Sequence, residues 1–415
     1  MLSLGLLSMN LYWSRLRFCL LAVLLAALAV CLFMPGLGGD FIFDDTPNIV
    51  GNTVLHVGHL SVKNLLYAAY SFQPGHGSRS LSMLSFALDY WRGGLDPQVF
   101  KTTNLWIHGF TMLVLALMLR NLLVAAQWPE RRAAGGALIM ALLWAIHPLQ
   151  ISSVLYVVQR MQTLSTLFLV LGLWAYLAMR KAQLLGLPSR LQGILTILCW
   201  VLGFAAKEDA LLLPLYTWVL ELTVLRFRAA RPSLASGLWQ GYGWLAGTGV
   251  AVYLLLIVPY FWSWQAYPGR DFNSWERLLS QGRALAMYLG QIVWPLPGRL
   301  SFYYDDFQVS RSLWLPMSTF PAWGLVFILL AWAWRWRGCR PAFSFGVILF
   351  FAGHFMTSNV LNLELAFEHR NHFPLIGAVM ALCDLGVVVW QHWRLPRLAG
   401  IALLVLVIIG LGGGR

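Results

Sequence analysis

Residues 20–52 read LLAVLLAALAVCLFMPGLGGDFIFDDTPNIVGN. The run from Leu20 to Pro35 carries no charge, follows Arg15 and Arg17, and has the length and character of a helix that crosses a hydrocarbon core. Two adjacent carboxylates, Asp44 and Asp45, follow between aromatics and a turn. In a chain that is 59% hydrophobic and only 11% charged, acids are scarce. A pair beside the membrane surface is either a solvated cap on the first helix or part of the working site.

The composition extends this reading to all 415 residues. Soluble domains are nearer half apolar and a quarter charged, whereas the mean hydropathy here is +0.68. The chain is expected to be an all-α polytopic membrane protein, a single integral membrane domain over 1–415. The expected spans are 16–34, 103–119, 135–150, 163–179, 191–206, 210–226, 237–261, 317–334, 342–357, 373–391 and 398–412. The net charge of +13 would suit nucleic acid, but the basic residues flank the apolar runs. That is the positive-inside pattern, so no nucleic-acid partner is inferred. The clusters at Arg15/Arg17, Arg120/Arg131/Arg132, Arg180/Lys181/Arg190, Arg226/Arg228/Arg231, Arg335/Arg337/Arg340 and Arg394/Arg397 share one side, with a cytoplasmic N-terminus.

The apolar segment 283–298 tests the scheme. An even number of crossings must separate the clusters at Arg226–Arg231 and Arg335–Arg340, and two spans already fill that quota. The segment therefore lies in the interface or re-enters, with Pro295 and Pro297 ending it. Two long outer segments result. The first, 35–102, carries short amphipathic pieces expected to lie along the membrane, and the second is 262–316. All acids except Glu130, Glu221 and Asp384 fall on this outer side.

Five cysteines form no disulfide framework and no C-x-x-C pair. The sequence LAVC ending at Cys31 is like a lipoprotein processing site, but Val30 occupies a position that needs a smaller residue. The first run reads as an uncleaved anchor.

Five outer segments put polar groups beside apolar helices: Asp44-Asp45 with Asn48 and Asn52; Arg79; His147-Pro148 to Arg160; Lys207-Glu208-Asp209; and Glu364, Glu368, His369, Arg370 and His372. Each has a bland reading. The Lys207-Glu208-Asp209 turn alone is a solvated cap, and Arg160 alone is an arginine snorkelling to the interface. A zinc site from His369 and His372 at i, i+3 is the weaker reading, and a divalent metal is not indicated. Together, on one face and near membrane depth, ionisable groups are costly enough to point to function. A carboxylate can take a proton from an acceptor hydroxyl. Arg79, Arg160, Lys207 and Arg370 can hold an anionic group such as phosphate. One acid and several cations in a membrane suit transfer from a lipid phosphate, with the phosphate as leaving group. No Walker loop is present, which disfavours a nucleotide donor.

The segments FIFDDTPNIVGN (41–52), SRSLSMLSFALDYW (78–91), HPLQISSVLYVVQRMQTLSTLF (147–168), AAKEDALLLP (205–214) and SNVLNLELAFEHRNHFPLIG (358–377) occur in an order that resembles the GT-C glycosyltransferases. The nearest likeness is to the membrane part of the transmembrane-and-tetratricopeptide O-mannosyltransferase family and its bacterial, pilin-glycosylating relatives. No tetratricopeptide period occurs in these residues. The resemblance implies a GT-C-like fold of about 11 spans and a polyprenyl-phosphate-linked sugar donor. It implies transfer to Ser or Thr of an exported, pilin-like protein, at a periplasmic site of a bacterial inner-membrane enzyme. It gives Asp44 and Asp45 the catalytic roles, with Asp44 favoured as base. Arg160, Lys207, Arg370 and Arg79 become donor-phosphate candidates, and Glu208, Glu368 and His369 support or contact the acceptor. Alternatives are the same chemistry on a lipid or glycan, and a transporter or flippase of lipid-linked sugar. The latter would be expected to show internal repeats and charge near the midplane.

Overall fold

The computed structural model describes residues 2–72 and 79–393, with Gly410 alone beyond them and side chains from Arg15 onward. The expected span 398–412, the cluster Arg394/Arg397 and His76 thus fall outside the described residues. Within them the fold is all-α, with helices joined by 3-10 turns and irregular segments and no strand.

α1 (Leu2–Phe33) carries the opening apolar run. A long connection follows, with α2 (Val62–Ala69) and α3 (Ser80–Gly93). Ser61 caps α2 by accepting from the Asn64 N–H at 3.1 Å. α4 (Pro97–Ala125) begins at Asp96, whose carboxylate accepts the Gln98 N–H at 2.9 Å, and Pro97 sits where no helical N–H is needed. α5 (Glu130–Ala145) ends before His147-Pro148, and the chain bends by 55° into α6 (Ile151–Val154). α7 (Arg160–Leu184), α8 (Arg190–Ala206) and α9 (Leu213–Leu220) come next, then α10 (Pro232–Val252) and α11 (Val258–Phe261), joined by a π turn. The last helices are α12 (Ser274–Val293), α13 (Thr319–Trp336), α14 (Pro341–Gly353) and α15 (Pro374–Trp393).

Among the described residues, five helices are long and apolar enough to cross a membrane: Arg15–Gly38, Pro97–Ala125, Val157–Leu184, Pro232–Phe261 and Pro374–Trp393. The bent pair Glu130–Ala145 with Pro148–Val154 makes a sixth if counted as one span, and Arg190–Ala206 and Pro341–Gly353 are shorter apolar helices. α4, α5, α7, α9, α14 and α15 share one core, in which Trp144, Tyr216, Phe345 and Phe350 are buried. α14 and α15 touch backbone to backbone, because a Cβ on Gly346 or Gly377 would collide with the carbonyl oxygen of the other. Small residues permit this approach where hydrophobic exclusion does not drive helices together. Pro232–Phe261, in contrast, buries no residue.

α7 and α8 give the bundle two chemically different ends. α7 starts at Arg160 and carries Arg180 in its last turns, and α8 returns from Arg190 to Lys207. At the basic end, Arg180 and Glu221 form a fully buried pair at 2.6 Å, and Arg340 meets Asp384 at 2.9 Å. Arg226 donates to the Arg337 and Gly338 carbonyls at 3.0 and 2.7 Å, so two of the basic loops touch. Glu221 and Asp384, two of the three acids read apart from the outer set, are thus countercharges for basic clusters.

The helix around 283–298 differs from the expected short piece. α12 starts nine residues earlier, at Ser274, because Asn273 and Glu276 form a reciprocal capping box. One face of α12 is buried and polar, with Arg277, Ser280, Gln281 and Gln291 inside the protein.

Candidate functional site

The connection between α1 and α4 folds on a small core that it shares with residues 156–158. Ile49, Leu55, Phe72, Met83, Phe86 and Phe100 pack with Tyr156, Val157 and Val158. Three hydrogen bonds set the acid pair on this base. The buried Asp45 carboxylate accepts the Ile42 N–H at 3.1 Å and the Val158 N–H at 2.7 Å. The Asp44 N–H donates to the Tyr156 hydroxyl at 2.8 Å. Asp45 is thereby turned inward as a brace, and Asp44 is exposed. Burial pushes the Asp45 carboxyl up from 3.8 to about 6, against the pull of its backbone donors and of Lys101. Phe43 holds a left-handed backbone, φ 42°, immediately before Asp44. Its ring stacks on Phe302 at 5.1 Å and Tyr303 at 5.8 Å, from the connection between α12 and α13.

Two cavities, of about 490 and 660 Å³, share Asp44, Arg79, Gln159 and Lys207 in their walls. The smaller is completed by Glu208, Asp209, Glu364, His369 and Arg370. The Lys207 ammonium donates to Gln162 at 2.8 Å and stands 3.8 Å from Asp209. An ammonium has three protons, so Lys207 keeps donating capacity beyond Gln162. Burial pushes its pKa down, with Asp209 opposing. Arg79, also left-handed at φ 67°, grips Glu208 through Nε and Nη2 and lies over the Phe72 ring at 4.4 Å. Arg370 donates to the Glu364 carbonyl at 2.8 Å and stands 3.7 Å from the Glu364 carboxylate. Burial, then the charges of Lys207, Arg370 and Arg79, holds His369 well below the usual imidazole value, so its ring is neutral at pH 7.

The irregular segment 357–367 delivers the last group of residues, and α12 holds it in place. The fully buried Arg277 guanidinium donates to the carbonyls of Asn359 at 2.8 Å, Thr357 at 2.7 Å and Glu364 at 3.2 Å, and to that of Leu363. Glu368 faces away from the smaller cavity and accepts the Tyr304 hydroxyl at 3.0 Å. Burial raises its carboxyl from 4.5 to about 7. His372 is packed against Trp144, with Nδ1 against Thr166 Oγ1 at 2.9 Å. Among the described residues no group of three or more His, Cys, Asp and Glu is arranged to hold a metal.

The structure brings Asp44, Arg79, Lys207, Glu208, His369 and Arg370 together and leaves Asp45, Glu368 and Arg160 outside the cavities. Arg160 departs furthest from its expected role as a phosphate ligand. It is wholly buried, pairs with Asp89 at 2.5 Å, and donates to Asn104 Oδ1 at 2.7 Å and the Phe100 and Ser85 carbonyls at 2.7 and 3.1 Å. Every nitrogen of the fork already has a protein partner, so Arg160 ties α3, α4 and α7 together. The sequence reading missed Arg277, Tyr156 and Gln159. The Asn273-to-Glu276 capping signal would have started α12 early enough to draw attention to Arg277.

The fold and site define a multi-pass, all-helical membrane protein with a cavity of mixed acids and cations at one end. Its relatives fall in one group. The chain is 28% identical over 213 residues to protein O-mannosyl-transferase TMTC4 of Homo sapiens, 48% of this chain and 28% of that protein. It is 32% identical over 194 residues to protein O-mannosyl-transferase Tmtc1 of Drosophila melanogaster, 45% of this chain and 21% of that protein. A third match, to protein O-mannosyl-transferase tmtc2 of Xenopus laevis, is 29% identical over 191 residues, 44% and 21% of the two chains. The resemblance to the transmembrane-and-tetratricopeptide O-mannosyltransferases is borne out by these relatives, of whose length the chain spans 28% or less. No family model matches the chain, and no solved structure matches it.

Proposed function

We propose that this chain is a membrane glycosyltransferase that moves a sugar from a polyprenyl-phosphate carrier to a hydroxyl of an exported protein. The observation that carries this reading is the shared cavity of about 490 Å³, where Asp44 meets Lys207, His369 and Arg370 from distant parts of the sequence. The reaction is single displacement with inversion. The acceptor oxygen attacks the anomeric carbon and gives its proton to the Asp44 carboxylate. The bond from that carbon to the phosphate oxygen breaks, and its electron pair leaves on the polyprenyl phosphate. Lys207 and Arg370 stabilise that developing charge. Arg79 is committed to Glu208 and positions it, and the neutral His369 hydrogen-bonds without adding charge.

The topology that accompanies this reading has eleven crossings. Ten of the expected spans lie in the described residues, and each has helical structure along it. Contact between the Arg226 and Arg337 loops supports a common cytoplasmic side for the basic clusters. The site then opens to the periplasm from a bacterial inner membrane. The relatives' O-mannosyl transfer to protein makes mannose the first sugar to test, with pilin-like Ser or Thr as acceptor. The test is transfer by purified protein from a polyprenyl-phosphate mannose to a Ser/Thr peptide. Asp44→Asn should lower turnover by about 10²–10⁴ with the melting temperature unchanged, the usual loss for a general base. Wild-type turnover in that variant would remove Asp44 from the mechanism.

A further inference from the structure

Beside the smaller cavity lies a cleft of about 850 Å³ in the second outer segment, within the range of about 300–1,000 Å³ typical of ligand sites. Tyr303, Glu364 and Phe367 line both spaces. Tyr303 and Phe367 meet edge to face at 5.6 Å, with Phe43 stacked on the other side of Tyr303. The cleft therefore leads over an aromatic bar to the cavity that holds Asp44.

Its charge is uneven. Arg270 is paired with Glu364 at 2.6 Å, and Arg311 with Asp271 at 3.0 Å and Glu276 at 2.9 Å. Asp305 and Asp306 are exposed on the wall and form no ion pair among the described residues. The backbone adds a second feature. Residues 307–310 are irregular, and among the described residues the N–H groups of Gln308 and Val309 have no hydrogen-bond partner. Open N–H groups beside a cleft match the carbonyls of an extended polypeptide, which hydrogen-bonds along its main chain. A lipid tail has no such groups.

We infer that this cleft holds the acceptor as an extended polypeptide and selects segments with Lys or Arg beside the acceptor hydroxyl. Asp305 and Asp306 read the positive flank, and the main chain of 308–309 sets the register. This rests on the transferase reading above, and deepens it by naming the charge of the chain on either side of the acceptor hydroxyl.

The test uses three fluorescent peptides with a central Thr, flanked by two Lys, two Ala or two Glu. Binding to the purified full chain is measured by anisotropy, and sugar transfer from polyprenyl-phosphate mannose is measured separately. The Lys-flanked peptide should bind about three- to tenfold tighter than the Ala-flanked one, the range of two exposed charge pairs, and the preference should shrink in high salt. Asp305→Asn/Asp306→Asn should abolish the preference and leave the Ala-flanked peptide unaffected. Asp305→Lys/Asp306→Lys should transfer the preference to the Glu-flanked peptide. Transfer without charge preference, or a preference that survives the Asn pair, would overturn the cleft assignment and leave the transferase intact. Charge-selective binding without transfer to any peptide would keep the cleft as a basic-peptide site and overturn the transferase reading.

Discussion

Replacing Arg277 with methionine tests how the cavity is built without replacing any residue in its wall. Four carbonyls, those of Thr357, Asn359, Leu363 and Glu364, accept from this one guanidinium. A hydrogen bond from a charged donor contributes about 1.5–3 kcal/mol, so four hold roughly 6–12 kcal/mol before costs. Burial, and after it the charge of Arg370, opposes them, lowering the guanidinium pKa from 12.5 to about 9. At about 1.4 kcal/mol per pKa unit that is roughly 5 kcal/mol against the charged form. The difference leaves a net contribution of about 4 kcal/mol. Scaling the usual unfolding entropy per residue to this chain converts it to a melting shift of about 5 °C.

The assay pairs thermal unfolding in detergent with transfer from a polyprenyl-phosphate sugar. Arg277→Met should melt about 5 °C lower, and the donor KM should rise at least about tenfold, because the freed segment carries His369 and Arg370 with it. Arg277→Lys should fall between, since one ammonium has three donors for four acceptors. If Arg277→Met melts within a degree of wild type and keeps its donor KM, the segment is held by something else and the reasoning fails.

Arg160→Met should lower the melting temperature, as loss of a buried partner costs about 3–5 kcal/mol, with donor KM in the surviving protein within about twofold. A large KM rise at unchanged stability would restore Arg160 as a phosphate ligand. Glu368 has its folded pKa raised from 4.5 to about 7, so its contribution to stability is full below about 4.5 and is lost as pH rises through about 7. Asp45 behaves alike but lower, with loss through about 6. Glu368→Gln should therefore flatten the fall in melting temperature between about pH 4.5 and 7, on the order of 3 kcal/mol at most; an unchanged slope would refute the assignment.

What could be read in the sequence was whatever depends on local pattern. The apolar runs marked the helices, and Asp44 with the turns at Lys207 and His369-Arg370 marked residues that line the shared cavity. Local pattern could not separate Lys207 from Arg160, since each is a cation at a helix end. The difference comes from Asp89 and Asn104, which close around Arg160 from other helices and leave Lys207 without such a cage. The same holds for the acid pair. Val158, more than a hundred residues away, captures Asp45 and so leaves its neighbour exposed. α12 was read too short because Glu276, Arg277 and Arg283 dilute its apolar character, and its buried polar face has no counterpart in a hydropathy average.

The left-handed backbone at Phe43 has a consequence for how tightly the carboxylate is aimed. A bulky residue in that conformation costs on the order of 1–3 kcal/mol, and persists where surrounding contacts outweigh the cost. Here those contacts include rings at positions 302 and 303. The stretch before Asp44 is thus cocked like a spring catch, with the rings at 302 and 303 as its keeper. Moving the keeper unstacks Phe43, lets its backbone relax toward ordinary angles, and swings the neighbouring Asp44 off its line.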